Sequence, residues 1–153
     1  MRYYSGAFLN TVDGKNRLSV PASIRETIES RSGQKQLVLA PAEHNECLVG
    51  YDLTRFDSLR SELGERFAGD FGPGRADFAR AMFGMAETLR YDETGRVNLS
   101  PILKELGRIE TTALLLGGGD YFELWSPETL LETPGQDPRL LRTVRALLAA
   151  RSR

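Results

Sequence analysis

The sequence predicts an α+β fold made of two copies of one unit, each running strand, tight turn, strand, short helix and strand pair. Three observations carry that prediction. The pattern Asp-x-x-x-Arg occurs at Asp13–Arg17 and again at Asp92–Arg96, and the residues after it stay in register. A second block, Leu48-Val-Gly-Tyr51 over Phe122-Glu-Leu-Trp125, follows in the same order. Between the copies the apolar residues fall at helical spacing, at Phe56, Leu59, Leu63 and Phe67.

Setting Asp13 over Asp92, 79 positions on, places Leu18 over Val97, Val20 over Leu99, Ile24 over Leu103, Arg25 over Lys104 and Glu26 over Glu105. The second block aligns at 74 positions, so the second copy is five residues shorter in its connection. Two blocks in one order favour duplication over coincidence. A unit of ~45 residues buries too little surface to fold unaided. The copies are therefore expected to complete each other by interleaving strands, giving a pseudo-two-fold body.

In the first copy, Ala7–Val12 is rich in strand formers. Asp13-Gly-Lys-Asn is turn chemistry, with Gly14 and Asn16 able to take positive φ. Arg17–Val20 alternates as a half-buried strand should, and Pro21 suits the first position of a helix reaching about Ser30, with Ile24 and Ile28 on one face. Gln36–Leu39 and Cys47–Tyr51 are the next strands. In the second copy Ser100 reads as an N-cap, Pro101 as N1 and Gly107 as the stop, with Ala113–Leu116 and Tyr121–Trp125 as strands. Thr54-x-x-Asp57 reads as a capping-box start to the linker helix. Gly72-Pro73-Gly74 breaks that helix, and a second runs from Arg75 to about Met85, giving an antiparallel pair on the sheet. The tail after Pro138 is a basic amphipathic helix, with Leu140, Leu141, Val144, Leu147 and Leu148 as its stripe and Arg139, Arg142 and Arg145 outside it. The expected boundaries are 7–54 and 83–126 for the copies, 55–82 for the helical linker and 127–153 for the tail.

Composition narrows the function. Cys47 is the only cysteine and His44 the only histidine, so neither an internal disulfide nor a Cys/His zinc site is available to one chain. Glu43, His44, Glu46 and Cys47 read as a polar loop entering a strand. No Gly-x-Ser-x-Gly or Ser-His-Asp set occurs. Gly117-Gly118-Gly119 lacks the Lys-Ser/Thr of a phosphate loop and reads as a connection between strands. An enzyme, a cofactor and a metal are not expected. No run approaches the roughly 18 apolar residues of a membrane helix, and no apolar signal core follows the first residues, so a cytoplasmic protein is expected.

The net charge of −1 hides segregation: residues 1–35 carry +3, 36–79 carry −4, 80–133 carry −4 and 134–153 carry +4. With a pI near 5.9, bulk charge cannot drive nucleic-acid binding. A small basic patch would have to supply the attraction. The first turn offers one. An aspartate there accepts amides two or three residues on, and Lys15, Asn16 and Arg17 crowd donors onto the tip. A two-stranded ribbon fits the major groove, where Arg pairs with guanine, Asn with adenine, and Lys serves phosphate. The second tip carries Glu93, Thr94 and Gly95 instead, leaving Arg96 among acids; Arg96 is expected to pair with Asp92 or a neighbouring subunit.

With Asp13-Gly-Lys-Asn-Arg17-Leu-Ser-Val-Pro-Ala-Ser-Ile-Arg-Glu, then Arg80-Ala-Met-Phe through Asp92-x-x-Gly-Arg96, and finally Tyr121-Phe-Glu-Leu-Trp125, the chain resembles the MraZ family from about Gly6 to Leu131. The resemblance implies a double SpoVT-AbrB fold, a duplicated swapped-hairpin, double-ψ-like β-barrel with peripheral and linker helices. It implies a transcriptional regulator of the bacterial division and cell-wall gene cluster that binds double-stranded DNA at short promoter direct repeats. It also implies a ring-shaped homo-oligomer, an octamer, associated with the nucleoid, and maps DNA binding onto the first motif, with Lys15 and above all Arg17. Asn16 stands where the family usually has Gly, and nothing carries over to the arginine-rich tail. The competing readings are an AbrB-type regulator or antitoxin of another operon, and a scaffold whose hairpins only pack subunits.

Overall fold

The elements follow from local cap and turn chemistry, seen in a computed structural model that describes residues 2–152. In chain order they are β1 (Ala7–Thr11), β2 (Arg17–Ser19), α1 (Ala22–Ser32), β3 (Gln36–Pro41), β4 (Leu48–Asp52), α2 (Leu53–Arg66), α3 (Pro73–Ala79), β5 (Glu87–Arg90), β6 (Arg96–Asn98), α4 (Pro101–Gly107), β7 (Thr112–Gly117), β8 (Phe122–Trp125), α5 (Pro127–Glu132) and α6 (Pro138–Arg151). Helix α3 runs on into a π-turn at Arg80–Gly84.

All strands pair antiparallel. One sheet has the order β1-β7-β8-β4-β3-β5, and a separate ribbon pairs β2 with β6. Exchanging the two copies turns the six-strand order into its own reverse. The register locates the axis. Leu18 faces Val97 in the ribbon and Val49 faces Glu123 in the sheet. Each of these residues lies opposite its own counterpart in the repeat, so a pseudo-two-fold axis passes through both pairs. Strand β1 pairs with β7, and β5 with β3. Each copy thus lends its first strand to the other, the interleaving that the short repeats require.

The ladders do not join into a continuous barrel among the described residues. The ribbon lies over the inner face of the sheet instead. Leu18 and Val97 reach down from it to Leu37, Leu39, Leu48, Leu115, Phe122 and Leu124, with Ile24, Ile28, Leu99 and Leu103 from α1, α4 and their approaches. Gly50 is required here: it faces Phe122 across the β4–β8 pair, and a Cβ at Gly50 would sit inside the Phe122 ring. A second cluster covers the outer face, where Leu114, Trp125 and Cys47 lie under Leu130 of α5 and Val144 of α6. The tail helix spends its apolar stripe on its own sheet.

Several boundaries differ from the sequence reading, each for a packing reason. Helix α2 starts at Leu53 on the Asp52 cap, whose carboxylate accepts the Arg55 amide at 2.8 Å, and not on Thr54. Asp52 is fully buried because the Tyr4 hydroxyl and Arg31 Nε also donate to it, each at 2.8 Å. Burial, then that bond to Asp52, pushes the Tyr4 hydroxyl far above its ordinary pKa. Pro21 is the cap of α1 and not its first residue, and the helix runs two residues past Ser30 to the left-handed Gly33, at φ 70°. Gly107 is the last residue of α4, while Arg108 takes the left-handed position at φ 52°. Gly107 serves close packing instead: a Cβ there would lie 2.9 Å from Ile109 and 3.1 Å from Leu48. In the linker, Phe67 stacks near Phe78 and Phe56 near Phe83, at 5.6 and 5.5 Å between ring centroids, as an antiparallel pair should. Of the α2 stripe only Leu59 is fully buried. No helix of the described residues is long and apolar enough to cross a membrane.

Gly50→Ala is expected to destabilise the chain by about 1–3 kcal/mol through overpacking at Phe122, read as a lower urea midpoint. Adding Phe122→Leu should recover part of that loss. An unchanged midpoint for Gly50→Ala would contradict the packing assigned to the axis.

Candidate nucleic-acid interface

The two Asp-x-x-x-Arg turns are built alike. The Asp13 carboxylate accepts the Lys15 and Arg17 amides, both at 2.9 Å, and Arg17 Nε at 2.8 Å. The Asp92 carboxylate accepts the Thr94 and Arg96 amides at 2.9 and 3.0 Å, the Thr94 hydroxyl at 2.7 Å and Arg96 Nε at 3.1 Å. Backbone bonds close each turn the same way, Asn16 N to Asp13 O and Gly95 N to Asp92 O. Both carboxyls are held below their ordinary pKa, chiefly by the arginine amide: in Asp13 the Arg17 side chain and Lys15 amide add to it, and in Asp92 the Thr94 hydroxyl does.

This arrangement fixes what each arginine can do. A guanidinium has five N–H donors, and the aspartate occupies the Nε edge. The Nη groups stay free in a plane set by that bond, so little side-chain entropy is lost when they meet an acceptor. A single residue in β2 sets their direction. With Leu18 pointing into the core at 1% exposure, Arg17 and Ser19 must point out. Val97 does the same for Arg96 and Asn98 in β6. Since Arg17 faces Asn98 and Ser19 faces Arg96, the ribbon displays two arginines on one outer face, with Cα atoms about 7–8 Å apart across the diagonal.

The hairpin itself is not a free two-stranded ribbon. Beyond the Val12–Leu18 bridge, β1 and β2 part to join different sheets. The tip leans on the other copy, whose Leu99 amide donates to Asn16 O at 2.8 Å and whose Lys104 Nζ donates to Asn16 Oδ1 at 2.8 Å. Asn16 adopts φ 63°, the left-handed region that Gly95 occupies at φ 85° in the second turn. Asparagine here therefore keeps the turn that glycine makes in the second copy. Its amide oxygen is taken by Lys104, so a bidentate amide contact to adenine is not free in this conformation. Lys15 is exposed.

A family model for the MraZ protein matches residues 3–70. A protein named transcriptional regulator MraZ from Methylobacillus flagellatus is 34% identical over 125 residues, covering 82% of this chain and 82% of that protein. The chain belongs to the MraZ family. Proteins of the same name from Hydrogenovibrio crunogenus and Rhodospirillum rubrum are 33% and 30% identical, covering 84% and 91% of this chain and 82% and 89% of their own lengths.

Within this MraZ-family chain the two tips share geometry and differ in charge. Lys15 beside Arg17 and Asp13 leaves the first tip a single positive charge, whereas Glu93 beside Arg96 and Asp92 leaves the second a single negative one. Sequence reasoning found both arginines and their aspartates. It missed that they share one face, and that each tip carries a cation from the opposite copy. Lys104 bonds Asn16, and Arg25 lies against Gly95, where a Cβ would come within 2.6 Å of Arg25 Nε. The signal existed, for Arg25 and Lys104 align in the repeat. An open groove beside Asn16 mixes Lys104 and Arg108 with Glu105 and Glu110, a lining ill-suited to an anion. Cys47 is buried among apolar groups, and no His/Cys/Asp/Glu cluster able to hold a metal occurs among the described residues.

Because folding lowers the pKa of both aspartates, their stabilising effect is complete above the unfolded value near ~4 and is lost as pH falls through the folded values. Urea midpoints measured from pH ~5 down to ~2 should therefore drop less steeply for Asp13→Asn and Asp92→Asn than for wild type. Parallel curves would contradict the bonding described. Asn16→Ala, which puts a residue with no side-chain acceptor for Lys104 into the left-handed region, should cost about 1–2 kcal/mol. Asn16→Gly should stay within about 0.5 kcal/mol of wild type.

Proposed function

We propose that the chain is a sequence-specific DNA-binding transcriptional regulator that grips double-stranded DNA through the first Asp-x-x-x-Arg turn, with Arg17 reading a base edge or phosphate and Lys15 contacting phosphate. One observation carries this reading: Asp13 holds the Arg17 guanidinium by Nε alone, leaving its Nη donors on the outer face of the ribbon beside an exposed lysine. Preorganised guanidinium donors of this kind suit bidentate acceptors such as guanine and phosphate. The name borne by the relatives, transcriptional regulator, agrees with it.

Asn16 serves here as the residue that shapes the tip and couples it to Lys104. Arg96 lies on the same face with an acidic neighbour, so its contribution to DNA affinity is smaller. Residues 7–54 and 83–126 act as the two copies of the binding body, 55–82 as their linker and 127–153 as the tail. Such a single tip binds weakly, and assembly of the chain into a ring-shaped homo-oligomer, an octamer, would set several tips on closely spaced promoter repeats and raise avidity by orders of magnitude. The target on this reading is the promoter of the division and cell-wall gene cluster, and the protein works in the cytoplasm on the nucleoid.

Gel shifts with a repeat-bearing fragment from that promoter test the reading. Arg17→Ala should lose affinity by about 5- to 150-fold per engaged site, and Arg96→Ala by much less. Affinity should fall steeply with salt. Normal binding by Arg17→Ala would overturn the assignment of the first turn.

A further inference from the structure

Helix α6 carries a charge pattern that the duplicated body does not use. Residues 134–153 hold five arginines against Asp137 and so carry +4, in a chain of net charge −1. Docking consumes the apolar side of the helix, since Leu140, Leu141, Val144, Leu147 and Leu148 all pack on the outer sheet face. The opposite side is exposed and holds Arg142 and Arg145 among Thr143, Ala146, Ala149 and Ala150. Arg139 is engaged by Asp137 at 2.7 Å, and Arg151 Nη1 donates to the Leu9 carbonyl at 3.3 Å. Arg142 and Arg145 are bonded to no carboxylate among the described residues. Like charges three residues apart disfavour a helix, so the fold bears this pair at some cost.

We propose that the exposed arginine face of α6 is a second nucleic-acid contact, one that binds the phosphodiester backbone without regard to sequence. The inference rests on the DNA-binding reading of the chain given above. The chemistry of the face selects phosphate: planar guanidinium forks match its oxygens, while alanine and threonine neighbours offer neither an aromatic anchor for a protein partner nor bulk for a lipid surface. The charge of the rest of the chain argues the same way. A protein acidic overall repels DNA in bulk, and a local basic face offsets that repulsion where it meets the backbone.

Placement separates the two contacts. Arg151 fastens the C-terminal end of α6 to Leu9 at 3.3 Å, and the helix lies on the outer face of the sheet, whereas the ribbon that carries Arg17 lies over the inner face. The arginine face of α6 therefore meets backbone outside the segment that the first tip of the same subunit reads.

The full chain carrying Arg142→Gln and Arg145→Gln tests this, because both positions are exposed and glutamine is a good helix former. Affinity is measured for a repeat-bearing duplex and for a shuffled duplex from about 50 to 200 mM salt, alongside the mass of the DNA-free protein by light scattering. The expected result is a loss of about five- to tenfold on both duplexes at low salt, with the log–log salt slope reduced by about two per engaged subunit. The ratio between the duplexes and the mass should not change. Arg142→Lys with Arg145→Lys should restore most of the affinity, since phosphate accepts either cation. Unchanged affinity and slope would overturn the proposal. So would a loss confined to the repeat-bearing duplex, or a change in mass, which would give the face to subunit assembly. If wild type fails to distinguish the two duplexes, the sequence-specific reading fails, while the α6 contact is still judged on the shuffled duplex alone.

Discussion

Two residue pairs on the pseudo-two-fold axis govern the molecule: Leu18 against Val97 in the ribbon, and Val49 against Glu123 in the sheet. Because each residue meets its own repeat counterpart, every other pairing is fixed twice over, once in each half. Strand alternation leaves no freedom once Leu18 and Val97 point inward. A slip of one residue would turn Arg17 and Arg96 into the core and expose both apolar side chains. The outward arginines are thus a by-product of the burial of Leu18 and Val97, and the aspartates only trim their direction.

The same axis explains why the copies can diverge in chemistry while keeping one shape. Asp13 and Asp92 cap their turns by equivalent bonds, and Asn16 and Gly95 share the left-handed conformation by different means. Glycine tolerates that region because it has no Cβ, whereas Asn16 is held there with its side-chain oxygen accepting Lys104 Nζ of the other copy. What the shape does not restrain is the middle of each tip, where Lys15 and Glu93 stand in solvent. In a true homodimer one substitution alters both tips; fused copies can change one at a time. A basic tip and an acidic companion are what that freedom permits.

Legibility in the sequence followed the range of the forces. Turn chemistry and caps are local, so the Asp13 and Asp92 turns and the Ser100 cap with Pro101 at N1 could be read directly. The repeat offsets matched Leu18 with Val97 and Val49 with Glu123, the residues that the structure sets opposite each other, but the pairing itself was not read. What escaped was non-local. The cap of α2 falls on Asp52 because that carboxylate also answers Tyr4 and Arg31, residues far away in sequence. Gly107 stops no helix because its lack of a Cβ is spent on Leu48. The glycine run at Gly117–Gly119 makes room for a neighbour: Gly117 lies against the Ser5 backbone, where a Cβ would come within 2.5 Å. At the site, Lys104 and Arg25 were visible as a matched pair. Only the interleaving assigns each to the tip of the other copy.

Strand exchange also sets the order of events during synthesis. Leu9 pairs with Leu114, so β1 has no partner until more than a hundred further residues have been made. At about 5–20 residues per second that wait lasts about 5–20 s. Throughout it, Ala7, Phe8 and Leu9 are an unpaired apolar edge on a nascent chain, and the first copy cannot close by itself. The polar residues Asn10 and Thr11 and the charged turn that follows limit how far that edge can template aggregation. Folding of the N-terminal half therefore waits on synthesis of the second copy.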